Sequence, residues 1–350
     1  MRIAVVYSSK DGLLKEFQER YGKNIRIPED FLAEGDSEET IKAVCNAIAS
    51  HNHHVIKIEA DSKAYEHLKL HHPDLVFNMA EGLFGDFRES YIPMLCERLG
   101  IHYTGSDPLT LGICLNKART KEILSHYLIP NAPFQLIYPG RMIELDNLDF
   151  PLIIKPLHEG SSKGIYNNSV VENKAQAIKK ITEIVRTYNQ PVLVEKYLPG
   201  DEFTVSVWGN GDDVEVLPIV RMNFGKLPEN AYPIYSYEAK WIWDMPESPL
   251  EIFECPAILD PVTEERIKDV VLDAYTVLGI RDWARIDVRM DENGLPNIIE
   301  INPLPGILPN PEDNSCFPKA ARTAGYTYVE MINKVIKIAA KRIGMKMYAD

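Results

Sequence analysis

Short apolar runs alternate with amphipathic stretches along the first part of the chain. The strand-like runs are Ile3–Tyr7, Val55–Ile58, Leu75–Asn78 and Ile101–Thr104, and helical patterns lie between them at Ile41–Ala49 and Glu89–Leu99. Asp36 and Glu39 predict a capping box at the start of the first helix, and Gly100 predicts the end of the second. Strands that alternate with helices predict a small parallel α/β unit, whose ligands bind at the carboxyl ends of the strands.

The remaining chain shows two further groups of elements. The first holds a basic helix at Lys117–Tyr127, strands at Pro151–Lys155 and Pro191–Lys196, a loop of small residues at Glu159–Gly164 and a helix at Lys174–Tyr188. The second holds strands at Glu202–Trp208 and Val214–Val220, an aromatic loop at Asn223–Met245, a helix at Pro261–Leu278, a hairpin and a C-terminal helix. We therefore predict an α/β (α+β) protein of three domains, at residues 1–113, 114–197 and 198–350.

The hairpin at residues 282–302 carries the most informative polar pattern. If Asn293-Gly294 forms a two-residue turn, Asp287 lies opposite Glu300 and Arg285 lies opposite Asn302, all on one face. The residues expected on the inward face are Ala284, Ile286, Val288, Ile299 and Ile301. Two carboxylates and an amide offer oxygen ligands for Mg²⁺, and a cation between the carboxylates would relieve their repulsion. The alternative is a solvated surface face on which Arg285 pairs with a carboxylate.

Composition narrows the classes of partner. The formal net charge is −13 and the pI is about 5.3, which argues against nucleic acid or an anionic membrane surface as the partner. Five scattered cysteines form no C-x-x-C pair, so we expect reduced, mostly buried thiols and neither zinc nor disulfides. The chain starts with a strand and holds no apolar run of membrane-spanning length. These features predict a cytoplasmic protein without a membrane partner.

The loop at Glu159–Gly164 follows an apolar strand and is a candidate phosphate site. Its small residues, Gly160, Ser161, Ser162 and Gly164, allow backbone N–H groups to approach an anion, and Lys163 adds positive charge. The loop matches neither the Walker motif nor the dinucleotide motif, and most such loops are ordinary turns.

Charged residues at strand ends extend this candidate site. Lys117 and Lys155 are further candidates for phosphate contacts, although an isolated lysine is usually a solvated surface charge. Glu195 and Lys196 end one apolar strand, and Glu202 begins the next. Together they predict a nucleotide cleft in which the connecting backbone binds adenine and a carboxylate binds the ribose hydroxyls.

Five segments in this order resemble the ATP-grasp enzymes, and within them the D-alanine–D-alanine ligases. The segments are Tyr103–Pro108 with Lys117; Ile154–Pro156 with Glu159–Ser162; Val194–Leu198 with Glu202–Val205; Tyr237–Lys240; and Arg285–Asp287 with Glu300–Asn302 and Pro305-Gly306. The resemblance covers nearly the whole chain. It implies a three-domain architecture in which an N-terminal parallel α/β domain precedes two ATP-grasp subdomains.

The resemblance also implies roles for individual residues. The ATP phosphates would be contacted by Lys117, Lys155, Ser162 and Lys240, and the adenosine site would be lined by Glu195, Lys196, Leu198 and Glu202. Two Mg²⁺ ions, with Mn²⁺ as a partial substitute, would be held by Asp287, Glu300 and Asn302. An oxyanion would be stabilised by Arg285 and the Gly306 amide, and the substrate would be positioned by Ser161 and Ser315. The implied protein is a homodimeric ligase of cell-wall (peptidoglycan) biosynthesis. It would form an acylphosphate and then a peptide bond, converting ATP and two D-alanines to the dipeptide, ADP and phosphate.

The chain departs from the family pattern where the first substrate should be recognised. Ser8–Gly12 lacks the family's glutamate, which binds the first amino acid's ammonium; Glu81-Gly82 replaces a His-Gly pair; and Trp241 replaces a tyrosine. Glu81 is therefore our candidate for the ammonium partner, and Trp241 is a further candidate for a substrate contact, unless these positions have simply drifted.

The sequence leaves room for three other functions, to different extents. The departures leave open a related ligase with different amino-acid substrates. A non-catalytic nucleotide-binding regulator is a further alternative, although the intact candidate ATP and metal residues argue against it. The absence of G-x-G-x-x-G after the first strand argues against a nicotinamide oxidoreductase.

Overall fold

The computed structural model describes residues 1–23, 30–145, 147–244 and 248–345. The helices are α1 (Lys10–Tyr21), α2 (Glu38–Ala49), α3 (Ala64–His71), α4 (Tyr91–Leu99), α5 (Pro108–Leu115), α6 (Lys117–His126), α7 (Lys174–Tyr188), α8 (Pro261–Val277), α9 (Cys316–Thr323) and α10 (Tyr328–Arg342). The strands are β1 (Arg2–Tyr7), β2 (His54–Glu59), β3 (Leu75–Asn78), β4 (His102–Tyr103), β5 (Phe134–Ile137), β6 (Leu152–Pro156), β7 (Val170–Val171), β8 (Val192–Lys196), β9 (Glu202–Trp208), β10 (Glu215–Val216), β11 (Val220–Met222), β12 (Phe253–Glu254), β13 (Trp283–Met290) and β14 (Pro296–Asn302).

The N-terminal strands form a parallel sheet in the order β2-β1-β3-β4, as the alternating pattern predicts. The cap prediction at α2 is wrong: Ser37 is the N-cap and accepts a hydrogen bond from the Thr40 N–H. The Asp36 carboxylate instead accepts the Ser8 N–H at 3.0 Å, because it faces the end of β1. Helix α1 is an element that the sequence pattern did not predict.

The middle of the chain forms an antiparallel sheet in the order β5-β8-β6-β7. One face of this sheet packs against α7 through a cluster that includes Ile154, Val194, Ile181 and Ile184. Its other face is turned toward the candidate cleft and carries Ile153, Lys155 and Glu195 there. The central sheet therefore supplies one wall of that cleft.

The C-terminal sheet has the order β12-β11-β9-β13-β14, and β10 also pairs with β9. The predicted single strand Val214–Val220 is wrong, since β10 and β11 are separate short strands along the same edge of β9. Pro218 lies between them, and proline has no N–H to donate to the neighbouring strand. The predicted aromatic loop holds a π-helical turn at Ala239–Trp243, while its last residue, Met245, lies outside the described residues.

The hairpin β13–β14 has the predicted polar pairs, but not the two-residue turn from which they were predicted. Asp287 pairs with Glu300 and Arg285 with Asn302, but a bulge follows Asp287, and nearer the turn Val288 pairs with Ile298. A two-residue turn would have paired Val288 with Ile299. The turn is longer than two residues, which shifts the pairing near it by one residue. The bulge adds one unpaired residue and so shifts the pairing back to the predicted register at the polar pairs. Ile299 consequently lines the cleft, and Ile298 takes the predicted core position with 2% exposure.

One hydrophobic cluster joins the N-terminal and C-terminal parts of the chain. It packs β1, β3 and α2 against α9, α10 and the C-terminal sheet, and it includes Phe77, Trp283 and Phe317. The rings of Phe77 and Trp283 meet edge to face, with centroids 5.8 Å apart. These two parts therefore share a core, and the domain boundaries at residues 113 and 197 stay predictions. None of the described helices is long and apolar enough to cross a membrane.

Candidate active site

Two adjoining cavities bring the predicted residues together. The larger, of about 130 Å³, lies between the central and C-terminal sheets, and the smaller, of about 80 Å³, opens toward the N-terminal unit. The larger is lined by Lys117, Lys155, Ser161, Ser162, Glu195, Lys196, Leu198, Glu202, Lys240, Arg285, Asp287 and Glu300. The smaller is lined by Glu81, Asn302 and Gly306 and shares Lys117, Ser161, Lys240, Arg285 and Glu300 with the larger. Ser315 and Trp241 line neither cavity.

The polar face of the hairpin forms the floor of this site. Arg285 donates to the Asp287 carboxylate at 2.9 and 3.2 Å, and the Thr204 hydroxyl donates to it at 2.9 Å. Lys117 forms an ion pair with Glu300 at 2.8 Å. Burial would raise the pKa of Glu300, but Lys117 and Arg285 together lower it below its usual value. The pairing of Arg285 with a carboxylate matches our alternative for this face, but the face lines a cavity instead of the open surface.

The donor set of this face suits a divalent cation that also binds phosphate. The Asn302 amide lies 3.4 Å from an Asp287 oxygen, and Asp287 pairs with Glu300 across the hairpin, so the three predicted ligands adjoin one another. Within the described residues, no group of three histidine, cysteine, aspartate or glutamate side chains could hold a metal ion. Mg²⁺ commonly takes one or two carboxylates and fills its remaining positions with phosphate oxygens and water. The two carboxylates and the amide therefore fit Mg²⁺ brought in with a nucleotide.

A buried ion triad fixes the wall opposite the hairpin. Glu195 lies 2.6 Å from Lys155 and 2.8 Å from Lys121. Burial opposes ionisation, yet the two lysines lower the pKa of Glu195 to about 2. Lys121 was not predicted as a site residue. A lysine one turn after Lys117 on the same helix was the signal available in the sequence.

Arg289 is a second residue that sequence reasoning missed. Its buried guanidinium donates to the Leu198 carbonyl at 2.6 Å, to Glu202 at 2.7 Å and to the Tyr197 hydroxyl at 2.8 Å. It therefore fixes the segment that is predicted to contact the adenosine. Arg289 follows Arg285 and Asp287 at alternate positions of β13, so strand periodicity could have placed it on the same face.

The candidate phosphate loop is held in an unusual backbone conformation. Ser161 and Ser162 have φ angles of +49° and +61°. The Ser162 hydroxyl donates to the Tyr235 carbonyl at 2.9 Å, and Lys240 lies 3.4 Å from the Ser161 hydroxyl. Lys163 was expected to add charge for an anion, but it pairs with Glu34 and Glu159 instead.

Two predicted substrate residues support loops and do not line the cavities. The Ser315 hydroxyl donates to the Gly306 carbonyl at 3.0 Å and accepts the Leu308 N–H at 3.2 Å. The Trp241 ring nitrogen donates to the Ser161 carbonyl at 3.3 Å. Cys316, next to Ser315, lines the larger cavity and was not predicted. The substrate role of Ser315 stays a prediction, because residues 309–313 look like an insertion in the family pattern just before it.

Glu81 lies on the wall of the smaller cavity beside Glu89. Neither carboxylate forms a hydrogen bond or an ion pair with another residue in the described ranges. Burial, Glu34 and Glu89 raise the pKa of Glu81 well above its usual value. Burial raises the pKa of Glu89 to about 7, although the nearby Arg88 guanidinium opposes that rise. A cationic ligand bound beside these carboxylates would lower the pKa of both.

The family's glutamate is missing from the turn after β1, but the structure shows another glutamate, Glu34, further along between β1 and α2. Glu34 is buried and accepts two hydrogen bonds from Arg88 at 3.1 Å, and Lys163 lies 3.1 Å away. Burial opposes ionisation, but these two cations lower the pKa of Glu34 to about 2. The family pattern points to the turn at Ser8–Gly12 for this glutamate, whereas α1 lies between β1 and Glu34.

The parallel sheet, the two antiparallel sheets and the charged cleft between the latter define an ATP-grasp enzyme. The fold is similar to that of a solved D-alanine–D-alanine ligase from Bacillus anthracis in complex with ATP. The two chains share 21% identity with a TM-score of 0.72, and the match covers 98% of each.

Sequence comparison identifies the family. The family model for the D-ala D-ala ligase C-terminus matches residues 127–337. D-alanine–D-alanine ligases of Haemophilus influenzae and Glaesserella parasuis are 31% and 33% identical over 85% of this chain, covering 94% and 91% of their own length. An uncharacterised protein of Sinorhizobium fredii is 31% identical over 98% of each chain. The chain thus belongs to the D-alanine–D-alanine ligase family, whose members are ADP-forming ligases that make C–N bonds.

Proposed function

We propose that this protein activates a carboxylate with ATP as an acylphosphate and joins it to an amine, with D-alanine as the leading candidate for both substrates. The observation that carries the proposal is the single cleft that unites Lys117, Lys155, Arg285, Asp287 and Glu300. Cations and oxygen ligands that converge on one point suit phosphoryl transfer, which depends on positioning and charge neutralisation.

The adenosine end of the cleft lies at the Lys196–Leu198 segment. In the part of the chain that the structure describes, no protein group accepts a hydrogen bond from the Leu198 N–H. Arg289 holds the carbonyl of the same residue, so this N–H is presented on a fixed backbone. Ile153 and Ile299 line the space beside it and supply apolar contact for a base. Glu202 would then accept hydrogen bonds from the ribose hydroxyls.

The phosphate end lies beside the hairpin. Lys117 and Lys155 would bind phosphate oxygens, and Asp287, Glu300 and Asn302 would hold Mg²⁺. Two bound ions, or Mn²⁺ in their place, would neutralise the negative charge of the transferring phosphoryl group. Arg285, with the Gly306 amide beside it, would stabilise the oxyanion that forms when the amine attacks the acylphosphate.

The first substrate would bind in the smaller cavity. A carboxylate placed near Lys240, Arg285 and Gly306 would leave its ammonium facing Glu81 and Glu89. These two unpaired carboxylates favour a second candidate function, in which the first amino acid is not D-alanine but one with an additional cationic group. Glu34 already pairs with Arg88 and is therefore not available to bind a substrate ammonium. The unpaired carboxylates for a cationic substrate are then Glu81 and Glu89.

An ADP-release screen tests these proposals. The purified protein is given ATP, Mg²⁺, and D- and L-amino acids or small dipeptides, singly and in pairs. D-alanine alone should release ADP if the leading candidate is correct, and a basic amino acid should be required if the second is. Tight nucleotide binding without turnover on any substrate would instead identify a regulator. A cytoplasmic homodimer in peptidoglycan synthesis remains a prediction from the family resemblance, and sedimentation can check its dimeric state.

A further inference from the structure

Two serines of the phosphate loop adopt a backbone conformation that must be imposed on them. Ser161 and Ser162 have φ angles of +49° and +61°, in the left-handed region that residues with a Cβ rarely occupy. Such residues persist only where the surrounding structure over-determines them. Ser161 also lines both cavities, so its placement matters for the nucleotide and for the substrate.

Two carboxylates from another part of the chain bracket these serines. The Gly160 N–H donates to Glu34 at 2.8 Å, and the Gly164 N–H donates to Asp30 at 3.0 Å. One contact thus lies immediately before the serine pair and the other shortly after it. Both carboxylates belong to residues 30–36, which we call the strap and which lie between α1 and α2 of the N-terminal unit.

The strap is anchored firmly enough to impose a conformation. Asp30 is 0% exposed and Glu34 is 7% exposed. Asp30 also accepts hydrogen bonds from the hydroxyls of Tyr166 and Tyr188, which follow the phosphate loop in sequence. The Glu34 carboxylate accepts two hydrogen bonds from Arg88, which also belongs to the N-terminal unit, so Glu34 keeps its charge inside the protein. Hydrogen bonds to a buried ionised carboxylate are stronger and shorter than neutral ones.

We propose that Asp30 and Glu34 are positioning residues that hold the serine pair of the phosphate loop in its ligand-binding conformation. Through the strap, the N-terminal unit sets a loop that belongs to the central unit. The proposal rests on the proposed function, since it assumes that the cleft binds ATP. Neither carboxylate lines the cleft, so both act through the loop and not on the nucleotide.

Nucleotide binding tests the proposal without relying on turnover. The affinity of a non-hydrolysable ATP analogue in Mg²⁺ is measured by calorimetry for the parent, Asp30→Asn and Glu34→Gln. The matched control is Asp282→Asn. Asp282 is also fully buried, accepts the Gly105 N–H and Arg342, and joins the N-terminal and C-terminal parts away from the loop.

The strap variants should bind the analogue at least tenfold more weakly, whereas the control should lose thermal stability and keep the parent's affinity. Tyr188→Phe, which removes one donor to Asp30 and no charge, should weaken binding less. If Glu34→Gln does not fold, Asp30→Asn and Tyr188→Phe decide the question. Parent-like affinity in folded strap variants would overturn the positioning role alone, while a parent that binds no analogue would overturn the proposed function.

A second comparison isolates the backbone. In the Asp30→Asn background, Ser162→Gly and Ser162→Ala both lose the hydroxyl, but only glycine adopts the left-handed region without strain. The glycine variant should therefore bind the analogue several-fold more tightly than the alanine variant. Equal affinities would contradict the proposal that the strap acts by imposing this conformation.

Discussion

At the scale of single residues, charge compensation distinguishes the carboxylates that could hold a substrate ammonium from those that already have a cationic partner. Glu195 is neutralised by two lysines, Glu300 by Lys117 and Glu34 by Arg88 with Lys163. Glu81 and Glu89 form no ion pair within the described residues, and Arg88 only partly offsets the rise in their pKa. A cation removed from water needs an oppositely charged or hydrogen-bonding partner, so an ammonium should be held at this unpaired wall.

Glu81→Gln keeps the shape of this wall and removes one charge. We expect a large rise in KM for the first amino acid with the KM for ATP little changed, which marks lost substrate binding. Glu89→Gln should act in the same direction. Steady-state kinetics on each accepted substrate checks this, and parent-like KM values in both variants would show that the ammonium binds elsewhere.

Glu89 should also make stability depend on pH. Burial, more than any neighbouring charge, raises its pKa from 4.5 to about 7 in the folded protein. The folded state therefore keeps a proton that the unfolded chain releases, and this stabilisation is full below about pH 4.5 and lost as the pH rises through 7. Glu89→Gln should consequently melt above the parent at pH 8 and with the parent at pH 5. Glu66→Gln, an exposed change on α3, serves as the control, and an unchanged difference at both pH values would refute the assignment.

The metal assignment is tested at Asp287 and Glu300. Asp287→Asn and Glu300→Gln should abolish ADP formation while the fold is retained, because the oxygens that would bind Mg²⁺ lose their charge. Circular dichroism confirms folding, and ADP release is followed over a range of Mg²⁺ concentrations. Normal turnover of either variant at saturating Mg²⁺ would rule out that residue as a metal ligand.

At the scale of elements, the hairpin β13–β14 shows what a period-two pattern can and cannot predict. The polar pairs at Asp287 and Arg285 were predicted because strand alternation and pairing are local. The bulge was not predicted, because either isoleucine of the Ile298-Ile299 pair satisfies the apolar pattern. Only packing against α8 and the rest of the C-terminal sheet selects Ile298 for the core. The strap contacts were equally beyond sequence reasoning, because they join residues more than 120 positions apart.

The bulge gives an element-scale prediction. Ile298→Ala should lower the free energy of unfolding by about 2–5 kcal/mol, the usual cost of truncating a buried isoleucine. Ile299→Ala should cost much less stability and should weaken ATP binding, because that side chain lines the cleft. Denaturant unfolding and nucleotide titration of the two variants check this. The reverse ranking in stability would favour the unbulged register.

At the scale of the whole molecule, a nucleotide in the cleft would contact elements from different parts of the chain. Lys117 lies on α6, Lys155 in the central sheet and Glu202 in the C-terminal sheet, yet all three line the same cavity. A ligand that contacts several units binds only the assembled protein. Its binding free energy is therefore added to the stability of the assembly, by about 2.7 kcal/mol at a concentration of 100 times Kd.

This linkage yields a thermal prediction. A non-hydrolysable ATP analogue with Mg²⁺ should raise the Tm of the parent by several degrees, and EDTA should remove most of that rise. Lys117→Ala and Lys155→Ala should show a much smaller rise, since a hydrogen bond to a charged group contributes about 1.5–3 kcal/mol. The control is Lys268→Ala. Lys268 lies on α8 and pairs with Glu264 outside the cleft. That variant should show the full ligand-induced rise. Equal ligand-induced rises in all three lysine variants would show that the nucleotide binds outside this cleft.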